Sequence, residues 1–199
     1  DDSADPRILA ADMLAQAEHD IHTRVGLATT SRDIAECTLA EVERQLASLP
    51  TAATAGEAWR RQGEIVLCED EAQLIAFADH MATEHLQVHT RDPHATAAKI
   101  RNYGSLFIGQ NASVVFSDKC CGTNHTLPTM AAARYTGGLW VGAYVKICPH
   151  QWIDEQGIPA IAEPAIRQSR TEGMQGHRRA AEIRLRPQDI DAITTGMRD

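Results

Sequence analysis

Four short apolar runs alternate with stretches of helical spacing over the first half of the chain, and this alternation constrains the fold more than any other feature. The runs are Arg24-Val-Gly-Leu-Ala-Thr-Thr30, Glu64-Ile-Val-Leu-Cys68, Leu86-Gln-Val-His89 and Ser105-Leu-Phe-Ile-Gly109. Each is a strand candidate of a few residues. Before the first run, Asp5-Pro6 supplies a helix cap and a first-turn proline, and Ile8, Leu9, Met13, Leu14 and Ala17 form an apolar stripe to about residue 20. Ser31 caps a second stripe through Ile34, Leu39, Val42 and Leu46 to Leu49-Pro50, and residues 51–56 read as a connection of small side chains. Leu74, Ile75, Phe77 and Ala78 mark a helix over 71–81. Asp92-Pro93 opens another that ends near Asn102, before Gly104. Strands separated by helices cannot pair as hairpins, so the pattern predicts an α/β fold with a largely parallel sheet and helices on both faces.

After Gly137 the character changes. Residues 141–147, 158–170 and 173–184 read as helices, with Pro159 near a start and Pro164 as a kink. A segment of about 60 residues with so few apolar side chains has little core of its own, so it is expected to pack on the α/β unit or on a second subunit.

Composition removes several classes of function. A net charge of -8 and a pI near 5.6, without a stripe of Lys and Arg, argue against a nucleic-acid groove. No run of about 18 apolar residues exists and the first residues are acidic, so neither a membrane span nor a secretory signal is expected, and the cytoplasm is the default location. Five cysteines (Cys37, Cys68, Cys120, Cys121, Cys148), an odd number without zinc-finger spacing, fit reduced thiols better than a disulfide framework.

Chemistry concentrates in Phe116-Ser-Asp-Lys-Cys-Cys-Gly-Thr-Asn-His125-Thr-Leu-Pro-Thr129, which is too polar and too broken for a buried strand or an amphipathic helix. It is expected to be a loop leaving the end of a strand, where α/β sheets place their sites. Asp118 in this stretch, with Gln16 and His19 three apart on one helical face, offers donors that suit zinc; equally, the pair is solvated decoration and Asp118 a turn residue. Glu84-His85 at a predicted helix end places an acid beside an imidazole, as base and proton shuttle or as a polar terminus favoured by the helix dipole. Cys120-Cys121 is either a thiolate nucleophile or two small apolar side chains.

The order and wording of the whole set resolve these alternatives. Leu14-Ala-Gln-Ala-Glu-His19-Asp, Glu84-His-Leu86, Ile100-Arg-Asn-Tyr-Gly-Ser-Leu-Phe-Ile-Gly109, Gly122-Thr-Asn-His-Thr-Leu-Pro-Thr129 and Glu172-Gly-Met-Gln-Gly-His177 resemble the histidinol dehydrogenase family, block for block and at similar spacings. The resemblance implies that Gln16, His19, Asp118 and His177 are zinc ligands, that Glu84 and His85 are the catalytic acid-base pair, and that His125 and Glu172, with Gln16 and His19, contact substrate. It further implies an incomplete Rossmann-like domain over residues 1–137. A helical tail over 138–199 would cross into the partner of a homodimer, and the nicotinamide-binding half would lie outside this chain. The cofactors implied are Zn2+ and NAD, and the reaction is oxidation of a small polar primary alcohol through an aldehyde to a carboxylate. Where such enzymes have Gly-Asp-Tyr-Ala, this chain has Ser117-Asp118-Lys119-Cys120-Cys121, which looks like the sulfopropanediol 3-dehydrogenase branch; Lys119 suits an anionic substrate. Two competing readings are an inactive, dimerising zinc-binding fragment and a zinc hydrolase with Glu84 as water activator.

Overall fold

The computed structural model describes residues 1–195. It is a mixed α/β structure dominated by helices, and its contacts divide it into a unit Asp1–Val145 and a second unit from Lys146 onward.

In the first unit the caps act where the sequence places them. The Asp5 carboxylate accepts from the Arg7 N–H and starts helix α1 (Pro6–Ala17); the Ser31 hydroxyl accepts from the Ile34 N–H and starts α2 (Arg32–Leu46). Each side-chain oxygen satisfies a first-turn N–H that has no partner within its helix. Leu9, Ala10, Met13, Leu14 and Ala17 form the buried stripe of α1. Ala10, Leu14 and Ala17 join Val25, Val42, Ala55 and Ala58 in the main core, and Ala4, Leu9 and Ile34 form a second cluster against Leu27.

Strand β1 (Val25–Thr29) pairs in parallel with β2 (Gly63–Leu67), and β3 (His85–Val88) with β4 (Ser105–Ile108). These are two separate two-stranded sheets, where the sequence suggested one. Helix α3 (Ala52–Gln62) occupies the segment expected to be a connection: its alanines have high helix propensity, and Ala55 and Ala58 are fully buried. Helix α4 (Glu71–Met81) follows β2, capped by Asp70, and α5 (Pro93–Ala97) follows β3, capped by Asp92 but shorter than expected.

Two further expectations fail. The polar stretch is not a loop throughout, because Val114–Lys119 forms a short helix, α6, and only the residues after it are irregular. The helix expected over 141–147 is a single 3-10 turn, Val141–Tyr144. Its side chains are exposed, so no packing supports a longer helix.

The second unit contains α7 (Ile158–Thr171), α8 (Gln175–Leu185) and a short α9 (Ile190–Thr195). Ala162, Ile166 and Ile193 are its buried apolar side chains, as sparse as the composition indicated. Gly173, at φ +70, makes the break between α7 and α8, a backbone conformation that a side chain would strain.

Candidate active site

The two ends that matter are the C-terminus of α1 and the start of β3. Gln16 lies half-buried in the last turn of α1, and the exposed His19 follows it, with its backbone N–H on the Gln16 carbonyl at 3.2 Å. At the other end, α4 stops on Ala82, which adopts a left-handed conformation (φ 46, ψ 54) while only 1% exposed. A non-glycine residue in this region is strained, and the burial around it holds it there. The sharp turn delivers Glu84 directly to the first residue of β3, His85.

The sheet fixes this pair. The Gly104 N–H donates to the Thr83 carbonyl at 2.9 Å and the Ser105 N–H to the Glu84 carbonyl at 2.8 Å. The His85 ring is half-buried, with its centroid 6.1 Å from that of Phe107 at an interplanar angle of 35°. Burial lowers the pKa of His85, the carboxylates of Glu84 and Asp118 oppose that shift, and His19 reinforces it. A half-buried imidazole kept neutral near pH 7 can accept a proton, which is the condition for a general base. Glu84, Asp118 and His19 are thus each near enough for their charges to bear on His85, although their residue numbers span about a hundred positions.

Asp118 is half-buried in the last turn of α6, followed by the exposed Lys119. Beyond it the chain is organised by polar side chains. Ser117 and Thr123 hydroxyls lie 2.6 Å apart. The Asn124 amide donates to the carbonyls of Thr126 (3.1 Å) and Leu139 (2.6 Å), and its oxygen accepts from the Thr126 N–H (2.9 Å). This turn presents His125 to solvent. Asn124 was given no role of its own by sequence reasoning, and Gly104 only that of a helix stop; the signal for Asn124 was its place two residues before Thr126, the spacing of an Asx turn. Cys120 and Cys121 are exposed and free, and both of their N–H groups share the Phe116 carbonyl.

Glu172 and His177 belong to the second unit. Glu172 ends α7 and accepts from the Gln168 amide at 2.9 Å, and His177 lies in the first turn of α8; both are exposed. Among the described residues no three His, Cys, Asp or Glu side chains are grouped closely enough to hold a metal ion. Within the first unit the expected ligand set supplies two such residues, His19 and Asp118, together with the amide of Gln16. The donor types, two imidazoles, a carboxylate and an amide oxygen, suit zinc.

Helices around short parallel strands, with an acid-imidazole pair at a strand start, define an α/β enzyme scaffold. Comparison with known proteins gives the family. The family model for histidinol dehydrogenase matches residues 1–185. The chain is 49% identical to histidinol dehydrogenase homolog 1 of Mesorhizobium japonicum, covering 94% of this chain and 37% of that protein. It is 42% identical to the sulfopropanediol 3-dehydrogenase of Ruegeria pomeroyi, over 93% and 43%. The crystal structure of histidinol dehydrogenase from Elizabethkingia anophelis superposes with a TM-score of 0.88 at 34% identity, covering 94% of this chain and 43% of that one. The chain therefore belongs to the histidinol dehydrogenase family, a family of NAD-dependent dehydrogenases. It spans less than half the length of these three relatives.

Proposed function

We propose that this chain is the zinc-site part of an enzyme that oxidises a small polar primary alcohol through an aldehyde to a carboxylate, with two NAD molecules as oxidants. The observation that carries the reading is the half-buried His85, directly after Glu84, under the joint influence of Asp118 and His19. Gln16, His19 and Asp118 of one subunit, with His177 of a second, would hold zinc; bound there, the metal supplies positive charge to fix and polarise the alcohol oxygen. Hydride acceptance is the chemistry of NAD. His85 takes the hydroxyl proton in the first oxidation. That proton passes to solvent; Glu84 with His85 then takes a proton from the water that attacks the aldehyde and returns one to the aldehyde oxygen, and in the second oxidation His85 takes a hydroxyl proton of the hydrate and again releases it to solvent. His125 and Glu172 contact the substrate.

The assembly is a homodimer. Trp140 (69% exposed) in the first unit, and Ile147 (91%) and Trp152 (85%) in the second, are large apolar side chains left exposed among the described residues. Apolar exposure on this scale marks an interaction surface, and a second copy that brings Glu172 and His177 to the site would cover it.

Between substrates, Lys119 and the likeness to sulfopropanediol 3-dehydrogenase favour a sulfonated diol over the cationic histidinol. The test is NADH formation by the full-length protein with each alcohol, expected at two NADH per alcohol consumed. Zinc binding without NADH formation from any alcohol would leave a non-catalytic zinc module. Turnover of esters without NAD would make it a hydrolase.

A further inference from the structure

Asp12 lies at a junction of three elements, and each of them carries a residue of the candidate site at its other end. Its carboxylate Oδ1 accepts a 2.8 Å hydrogen bond from the Ser113 hydroxyl, across 101 residues of sequence. Its other oxygen, Oδ2, is buried without a partner among the described residues. The Asp12 charge also bears on the half-buried His89, where it opposes the lowering of the imidazole pKa by burial. Asp12 thus ties α1 to the residue that opens α6, and its charge reaches the residue just beyond β3.

The directions of these elements give the contact its meaning. From Asp12, α1 runs to Gln16, about 6 Å along its axis, and on to His19. From Ser113, α6 runs to Asp118, about 7 Å away. Strand β3 runs the opposite way, from His85 to His89, about 13 Å. The elements meet at Asp12 at one end, and at the other end His19, Asp118 and His85 interact through their charges. Helix α6 has only six residues, too few to be stable by its own hydrogen bonds. Ser113 is its N-cap residue, yet the hydroxyl caps nothing in α6 and goes to Asp12 instead. A serine at this position normally serves its own helix.

We infer that Asp12 and Ser113 are positioning residues: their hydrogen bond sets the register of α6 against α1 and thereby holds Asp118 in place opposite Gln16 and His19. The inference rests on the metal reading given above for its consequence, and on geometry alone for the placement of α6.

The experiment compares the full-length protein with Ser113→Ala and Ser113→Thr, using two readouts: zinc affinity by competition with a chromogenic chelator, and amide hydrogen exchange of α6 beside that of α4. Loss of a hydrogen bond to a carboxylate should weaken zinc binding about tenfold in Ser113→Ala and speed exchange in Val114–Lys119 several-fold, while α4 is unchanged. Ser113→Thr keeps the hydroxyl and should restore both. Unchanged exchange in α6 overturns the inference, as does faster α6 exchange with unaltered zinc affinity. Faster exchange in α4 as well would show general destabilisation and also overturns it. If the wild-type protein binds no zinc, the metal reading fails, and the register claim is decided by the α6 exchange and its rescue by threonine.

Discussion

Replacing Gly104 by alanine tests whether the start of β3 and β4 is built as tightly as it looks. Gly104 needs no unusual backbone angle, so the effect of a methyl group is steric. An added Cβ would sit 2.5 Å from the Glu84 carbonyl oxygen and 3.1 Å from Pro128 Cδ. Ordinary C···O contacts lie near about 3.3 Å, so the Glu84 backbone would have to retreat by about 0.8 Å, in a segment already pinned by the Gly104 N–H to Thr83 carbonyl bond. Forced packing of this kind costs about 2 kcal/mol. For a chain of 199 residues that is a fall in melting temperature of about 4–8 °C. Because the displaced backbone is that of Glu84, next to His85, dehydrogenase activity should fall by about a hundredfold as well. The assays are calorimetry and NADH formation, with Gly137→Ala as the control, since a Cβ there meets nothing within 4 Å. If Gly104→Ala melts and turns over like the wild type, the claimed crowding around Glu84 is wrong.

Three other outcomes are expected. Glu84→Gln keeps size and hydrogen bonding but loses the charge that helps activate water, so conversion of aldehyde to acid should slow by about 10²-fold while the first oxidation suffers less; stopped-flow traces with each substrate distinguish the two. His85 has a pKa below the ordinary 6.5 because burial disfavours its charged form, so the acid limb of kcat/KM should fall below pH 6.5. Linkage gives the same sign for stability: the unfolded chain binds the proton more readily, so the contribution of His85 is complete above pH 6.5 and is lost as pH falls through the folded pKa, which denaturation at graded pH would reveal. Finally, if the proposed dimer forms through this surface, Trp140→Ser with Trp152→Ser should shift the protein to monomer in light scattering, and an unchanged mass would place the interface elsewhere.

What the sequence made legible depended on how local the determinant was. Asp5, Ser31 and Asp92 act only on the next turn, and all three accept a first-turn N–H as caps do, as does Asp70, which the sequence reading had not singled out. The strand positions were equally plain, because four runs of β-branched and apolar residues fall between those helices. Pairing was not, since β1 finds β2 and β3 finds β4 through contacts that no window of sequence contains. Helix α3 was hidden by the smallness of its residues: Ala52-Ala-Thr-Ala-Gly56 has no stripe to detect, and it is helical because alanine favours the helix and because Ala55 and Ala58 fit against α1 and β1. Helix α6 was hidden by its shortness: six residues carry no periodic stripe, and its apolar start, Val114-Val-Phe116, runs directly into the polar stretch.

The place of the site shows why a general rule about α/β sheets misleads here. Such sheets usually hold their ligands at the carboxyl ends of the strands, and on that basis the segment around Asp118 was expected at a strand's exit. The segment does leave β4 at that end, where Ser113 meets Asp12. It then forms α6, whose last turn carries Asp118, and the charges of Asp118 and of His19, just beyond α1, bear on His85 at the amino end of β3. Glu84 and His85 therefore lie where β3 begins, and the strained turn at Ala82 is what brings the chain out of α4 in time to place Glu84 there.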